Sequence, residues 1–320
     1  MSGLRNIAIV VLMASLLTGC GGGSSSASGT VAQPESPIVS PPAVTPPPAT
    51  FNYDKASDFT RDRSFTAIGT TATLVYAPDG GSLYQRAAAL DAESDAIGFD
   101  YVASSQTYRA RYLGDTFDRA RTPITNIPVP FDEYAEASST NALGLYFART
   151  PLRAGMDYAG FVLWRLAQPQ AMQVGSATRI HRMLFGSKTL VADLPTSGTS
   201  TYDASVEVSE NEGPDIVVRS IGGVRTTTAR IVIDWRTRAL SGYVRLFPPS
   251  GTGTTLQSPV DYPVSGTIAD DGLLTGMVAS SGPLQGHVYG PRAVEVGLLF
   301  TYRNSTLSTQ QYVGAVLGHQ

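Results

Sequence analysis

Three observations predict an all-β protein. Charged residues make up only 15% of the 320-residue chain and glycine is abundant at 32 residues, whereas about a quarter charged is usual for a globular domain. Short runs rich in Val, Tyr, Phe and Thr recur, each bounded by Gly, Pro or Asp, which is the pattern of strands. The gaps between them carry turn chemistry: Asp270-Asp271-Gly272 supplies the glycine that a tight hairpin with positive φ requires. Cys20 is the single cysteine, so no intramolecular disulfide is available and the fold rests on its core.

Residues 1–19 read as a secretory signal. Arg5 precedes the apolar run Ile7 to Leu17, which is short of the ~20 residues a membrane-spanning helix needs. Leu17-Thr18-Gly19-Cys20 resembles the lipobox of bacterial lipoproteins. That resemblance implies cleavage between Gly19 and Cys20, a diacylglyceryl group on the Cys20 thiol and an acylated new amino terminus. Each buried CH₂ contributes about 0.8 kcal/mol, so several chains on one residue hold where a single chain is marginal. An ordinary secretory signal with a chance cysteine and a retained transmembrane anchor are the competing readings. Residues 20–50 then form a lipidated tether. Gly21 to Ser26 is a flexible coil, and Pro34 to Pro48 contains seven of the 21 prolines, a semi-rigid polyproline stretch. Fully extended, residues 21–50 reach at most ~100 Å.

From Phe51 onward the length suits about two units, divided here into 51–192 and 193–320. In the first, Thr71–Tyr76, Ile97–Val102, Tyr108–Tyr112, Leu143–Phe147 and Tyr158–Trp164 read as strands. Leu83–Ala92 reads as one short helix. Gly114–Asn141, interrupted by Pro123, Pro128 and Pro130, reads as a long loop, either functional or filler.

The second unit offers eight strand candidates: Thr199–Val208, Ile216–Ile221, Thr227–Asp234, Leu240–Leu246, Val264–Ala269, Leu274–Val278, Leu284–Tyr289 and Leu298–Arg303. Gly222-Gly223, Thr237-Arg238 and Asp270-Asp271-Gly272 supply hairpin turns. Eight short strands at hairpin spacing predict an eight-stranded antiparallel β-barrel, since closure removes the exposed edges. A barrel of this size is filled by its own side chains or by one small ligand.

Within this unit, Gly286-His287-Val288-Tyr289-Gly290-Pro291-Arg292-Ala293-Val294-Glu295-Val296-Gly297 resembles the closing signature of the transferrin-binding-protein-B-like lipoproteins. Leu194 to Tyr202 is similar to the first barrel strand of that family, and Tyr312-Val313-Gly314-Ala315 to its ending. Leu298 departs from the pattern, standing where a second glycine is usual. The resemblance covers 193–320 closely and 52–192 in general character. It implies a single lobe, a β-rich handle followed by the barrel, carried on a lipid anchor. Members bind host iron proteins, haem proteins or complement regulators, or bind nothing known. Physically, Tyr289 ends a strand, Gly290 permits a bend, and Pro291 opens one helical turn. Gly297 reads as a left-handed C-cap. A buried Glu295 needs a partner, a backbone amide or an arginine such as Arg230 or Arg245.

Catalytic and metal chemistry find no footing in the sequence. His181, His287 and His319 have no metal-ligand spacing; axial haem ligation by His181 or His287 competes with a half-buried structural role. No serine lies in a Gly-x-Ser-x-Gly elbow and no phosphate-cradling loop is present. Asp270-Asp271 and Asp132-Glu133 read as solvated turns. Asn304-Ser305-Thr306 matches a glycosylation acceptor that a bacterial lipoprotein does not use. With a net charge of −3 and two lysines, Lys55 and Lys188, no basic block favours nucleic acid. The expectation is a non-enzymatic binding lipoprotein without a cofactor, held to the membrane by the lipid on Cys20. It captures a protein or small solute, iron- or haem-related ones included. Tyr112, Phe117, Phe131, Tyr134 and Tyr146 are candidate contact aromatics, with a core role as the competing reading. A structural envelope lipoprotein docking on a membrane partner is the alternative, and a carbohydrate-active hydrolase a third. Gly21 after the cysteine, with no aspartate there, implies outer-membrane transfer by the rule for enteric bacteria, with cell-surface exposure as the family-level expectation.

Overall fold

The computed structural model describes residues 51–76, 83–86, 90–120, 133–138, 141–146, 156–167, 177–212, 215–219, 228–246, 258–303 and 311–320. Two antiparallel sheets organise them. The first, the handle, contains β1 (Arg63–Tyr76), β2 (Leu83–Arg86), β3 (Leu90–Val102), β4 (Thr107–Tyr112), β5 (Asp115–Ala120), β6 (Glu133–Ser138), β7 (Asn141–Tyr146), β8 (Ala159–Ala167) and β9 (Ala177–Gly186). Their order is β5-β4-β3-β1-β9-β8-β7-β6, with β2 alongside β1. The β1–β3 register shifts between Thr66 and Gly69, and such bulges bend and twist a strand. The sheet curls nearly shut around Ile97, Phe99, Tyr101, Tyr108, Phe117 and Trp164, but among the described residues no ladder joins β5 to β6.

The second sheet is a closed barrel. It contains β10 (Thr199–Glu212), β11 (Asp215–Arg219), β12 (Thr228–Asp234), β13 (Ala239–Leu246), β14 (Val260–Ile268), β15 (Leu273–Val278), β16 (Gly282–Tyr289), β17 (Glu295–Arg303) and β18 (Gln311–His319). Strands β12 to β18 follow β10 in sequence order, and β18 returns to β10 from Asp203↔His319 to Glu210↔Tyr312. Inward residues fill the interior: Val206, Ile231, Val244, Leu274, Leu298, Phe300 and Val316 are among those fully buried. Of the two sequence options, the barrel is the filled one.

The all-β class, the handle-then-barrel order and the strand number of the barrel are as expected, but its membership differs. Among the described residues Asp215–Arg219 pairs only with Val208–Glu212, alongside the part of the first strand that lies past the start of β12. The eighth barrel strand is Gln311–His319. It carries no polar alternation because both faces are covered: Tyr312 and Val316 point into the barrel, while Val313, Ala315 and Leu317 pack on the handle. β9 escapes the period-two pattern for the same reason, with Met183 and Phe185 in the handle core and Ile180 and Leu184 against the barrel. The short helix expected over Leu83–Ala92 is instead β2 and the start of β3; ladder partners on β1 override the alanine-rich local preference. The long loop expected over Gly114–Asn141 contains β5 and β6, and 121–132 lies outside the described residues.

The turns hold their expected chemistry. Gly272 has φ 86 and Arg238 has φ 58. The backbone N–H groups of Arg236 and Thr237 donate to Asp234 Oδ1, fixing the second of these turns. Gly222-Gly223 lies outside the described residues.

Candidate binding face and the seam behind it

The handle lies against the barrel along a seam of two apolar patches. In one, Ile68, Ala159, Phe161 and Leu184 meet Tyr289, Leu299, Ala315 and Leu317; in the other, Ala72 and Ile180 meet Val313. The motif singled out in the sequence sits at one end of this seam. Gly290 has φ 71, and a Cβ there would fall 2.4 Å from Tyr158 Cδ2. Pro291–Ala293 makes a single tight turn where the sequence predicts one helical turn, but Arg292 (φ 52) and Ala293 (φ 58) are left-handed, so it is not a regular helical turn. Gly297 is no left-handed cap. It is an extended residue of β17, paired with His287 and Leu317, and its missing side chain leaves room for Leu184, whose Cδ1 would lie 2.6 Å from a Cβ.

Glu295 takes the backbone-amide option, from the opposite module. Its carboxyl accepts from the N–H groups of Asp157 (2.6 Å), Tyr158 (3.0 Å) and Ala159 (2.8 Å) at the start of β8. Burial pushes its pKa up to about 7, while the three amide donors pull the other way. Neither expected arginine is its partner. Arg245 pairs with Asp261 on the outer wall, and Arg230 is exposed.

Two further polar links cross the seam. Arg182 of β9 meets Glu207 of β10 at 3.3 Å with both side chains buried; burial raises the Glu207 carboxyl above its ordinary range, and Glu207 Oε1 has no hydrogen-bond partner among the described residues. Glu93 of β3 accepts from Lys188 Nζ at 2.6 and 2.7 Å and from the Thr66 hydroxyl, with His287 Nε2 at 3.6 Å. The nearby imidazole and ammonium groups hold its carboxyl well below the usual range. The linker is stitched to the barrel as well: Thr189 N–H donates to Val288 O, and Gly290 N–H to Ser187 O. Arg182 and Glu207 went unnoticed in the sequence, where Arg182 follows Arg179 and His181, and Glu207 sits between Val206 and Val208.

Glu295 and Tyr158 mark the end of the molecule where the chain enters from residue 50; we call it the base. Tyr53 donates to Asp193 Oδ2 at 2.8 Å and accepts from Leu190 N–H, Lys55 pairs with Asp157, and Ala56 is fully buried in the handle core. The barrel is sealed here. Trp235 Nε1 donates to Ser200 Oγ, Tyr202 OH donates to Ala293 O, and Gln320 Nε2 reaches Ser200 Oγ, Tyr202 OH and Ala293 O. Barrel strands at this end are joined by the tight connections 235–238, 269–272 and 290–294.

The opposite end, the crown, is where the barrel's longer connections (220–227, 247–257 and 304–310) leave their strands. Tyr262, Tyr302 and Tyr312 form a triangle across the barrel mouth, with ring centroids 5.1, 6.0 and 6.2 Å apart. Tyr262 and Tyr302 remain partly exposed, and Val260 beside them is 41% exposed. On the handle, Arg179 and His181 both engage Asp115 at this end. Partly exposed aromatics among arginines are the composition that protein interfaces favour.

Among the sequence candidates, Tyr112 and Phe117 are core residues. Phe131 and the side chains of Tyr134 and Tyr146 lie outside the described residues. His181 is buried with both nitrogens engaged: Nδ1 with Thr71 Oγ1 at 2.7 Å and Nε2 with Asp115 Oδ2 at 3.0 Å. Its ring stacks on Tyr112 with centroids 4.4 Å apart, and burial lowers its pKa to about 4. His287 is buried in the seam, so neither histidine presents a nitrogen to a haem. His319 contacts the Gln320 carbonyl. Cys20 lies outside the described residues.

No family model matches the chain, and no curated protein matches it. Solved structures do. It is similar to transferrin binding protein B from serogroup B Neisseria meningitidis at 13% identity and TM-score 0.44, over 79% of this chain and 43% of that one. The chain therefore spans less than half of that protein. A mutant transferrin binding protein B from Haemophilus parasuis matches at 10% identity and TM-score 0.40, over 81% of this chain and 76% of that one. The haemoglobin receptor HpuA from Kingella denitrificans matches at 12% identity and TM-score 0.38, over 83% and 90%. These are the kinds of protein to which the barrel motif pointed, and likeness at these scores assigns this chain neither a ligand nor an activity.

Proposed function

We propose that this chain is a non-enzymatic, lipid-anchored binding protein of the outer membrane, exposed at the cell surface, that captures a protein ligand at its crown. In this reading residues 1–19 are the signal, Cys20 carries the lipid, and 20–50 is the tether. The observation that carries it is the polarity of the body. The chain from the tether joins at Tyr53, pinned to a sealed base, while the barrel mouth with Tyr262 and Tyr302 faces the other way. In this reading the crown, where Tyr262 and Tyr302 stay partly exposed, is the end that meets the partner.

The test is binding by full-length protein in detergent to a panel that includes transferrin, lactoferrin and haemoglobin. Retention of one of them, lost in a Tyr262→Ala/Tyr302→Ala variant with unchanged unfolding, is the expected result. Retention of none, or capture that the double variant leaves intact, sinks crown capture. The anchor is tested separately: Cys20→Ser is expected to move the protein from the membrane to the soluble fraction.

A second reading, docking on an envelope partner, draws on Leu190 and Val191, which are 48% and 63% exposed at the base. Protease shaving of intact cells separates the two, since surface capture requires cleavage and an inward-facing partner forbids it.

A further inference from the structure

Handle and barrel each enclose an apolar core of their own. The seam between them is thinner and holds groups that apolar packing alone does not need. Three backbone donors converge on Glu295, and one ion pair, Arg182–Glu207, is fully removed from water. A buried ion pair is a poor source of stability, because desolvation offsets much of the attraction, but it tolerates only one alignment of its partners. The same holds for a carboxylate shared among three consecutive amides. Thr189 and Gly290 hydrogen-bond across the same line, so five amides report directly on whether the seam is shut.

We propose that the handle and barrel are two separately cored modules, docked in one register by Glu295 and the Arg182–Glu207 pair, and that this seam opens as a unit while both cores persist. Glu295, Arg182 and Glu207 are then positioning residues for the whole body. The inference holds whichever ligand the crown takes, so its failure leaves the proposed function standing.

Hydrogen exchange on full-length protein tests it. In Glu295→Gln, exchange is expected to rise roughly tenfold or more at Asp157, Tyr158 and Ala159 and, together with them, at Thr189 and Gly290. Amides of the β3–β4 and β13–β14 ladders keep their wild-type rates. A change confined to residues 157–159 overturns the proposal, because the seam then has no collective opening. Equal loss of protection in both ladders overturns it too, because the modules then do not survive apart. Glu207→Leu probes the seam away from Glu295. It removes the buried carboxylate that Arg182 meets across the seam, so the same five amides are expected to exchange faster, and adding Arg182→Met is expected to restore them. A Glu207→Leu variant with unchanged exchange at these amides, or a double variant no better than the single, also refutes it.

Discussion

Handle and barrel solve the same problem, how to end an antiparallel sheet, in different ways. The barrel returns its last strand to its first through an unbroken ladder. The handle curls but, among the described residues, leaves β5 and β6 unladdered, and its core holds large rings: Phe99 and Phe185 at 4.6 Å, Phe59 and Tyr101 at 4.9 Å, Trp164 against His181 at 4.8 Å. Closure by hydrogen bonds goes with a core that is mostly aliphatic, with Tyr202, Trp235, Phe300 and Tyr312 as its buried rings. Near-closure without that ladder goes with bulk and with a buried polar cluster around His181. The chain has two tryptophans, Trp164 in the handle core and Trp235 in the barrel core, so fluorescence reads the modules one at a time.

The largest expected effects come from emptying either core. Phe99→Ala in the handle and Phe300→Ala in the barrel each remove a fully buried ring, at about 3–5 kcal/mol. In urea titrations Phe99→Ala is expected to shift the Trp164 transition ahead of the Trp235 transition, and Phe300→Ala to do the reverse. Coincident transitions in both variants would erase the distinction between the modules.

The pH responses of the two regions have opposite sign. His181 titrates at about 4 in the folded protein against 6.5 when free. The unfolded chain therefore takes up the proton first, and stability present above pH 6.5 is lost as pH falls towards 4. Glu295 titrates at about 7 against 4.5. Its contribution is full below pH 4.5 and is lost as pH rises to 7. Each amounts to on the order of 3 kcal/mol. His181→Phe is expected to flatten the acid side of the stability profile and Glu295→Gln the neutral side. A profile unchanged by either substitution would contradict these assignments. Gly297→Ala is expected to cost less, about 1–3 kcal/mol, because Leu184 must give way within the seam.

Legibility in the sequence followed solvent. Strands with one wet face, such as β12 with its buried-exposed alternation at Ala229, Arg230 and Ile231, show the period of two and were readable. Strands sandwiched between modules, β9 and β18, lose it because each face meets apolar atoms. The Gly286–Gly297 motif was readable as unusual, but its purpose was not. Glu295 and Gly297 answer to Asp157–Ala159 and Leu184, more than a hundred residues earlier. Turn glycines were assigned well where φ alone decides, at Gly272, and poorly where a distant side chain decides, at Gly297.

The smallest effect expected is at the ion pair that looks strongest on the surface. Arg245 and Asp261 make a bidentate contact, Nε to Oδ1 at 2.6 Å and Nη2 to Oδ2 at 2.8 Å, and the guanidinium also lies 5.3 Å from the Tyr243 ring centroid. Both side chains are open to water, where screening and side-chain entropy cancel most of the attraction. Arg182 and Glu207 meet at a longer 3.3 Å, yet there the lost attraction between two buried charges is not made good by water. Asp261→Ala is therefore expected to leave both tryptophan transitions where they were, at low salt and high, while Glu207→Leu shifts them. If Asp261→Ala shifts the Trp235 transition as far as Glu207→Leu does, burial is not what separates the two pairs, and the seam loses its claim to special status.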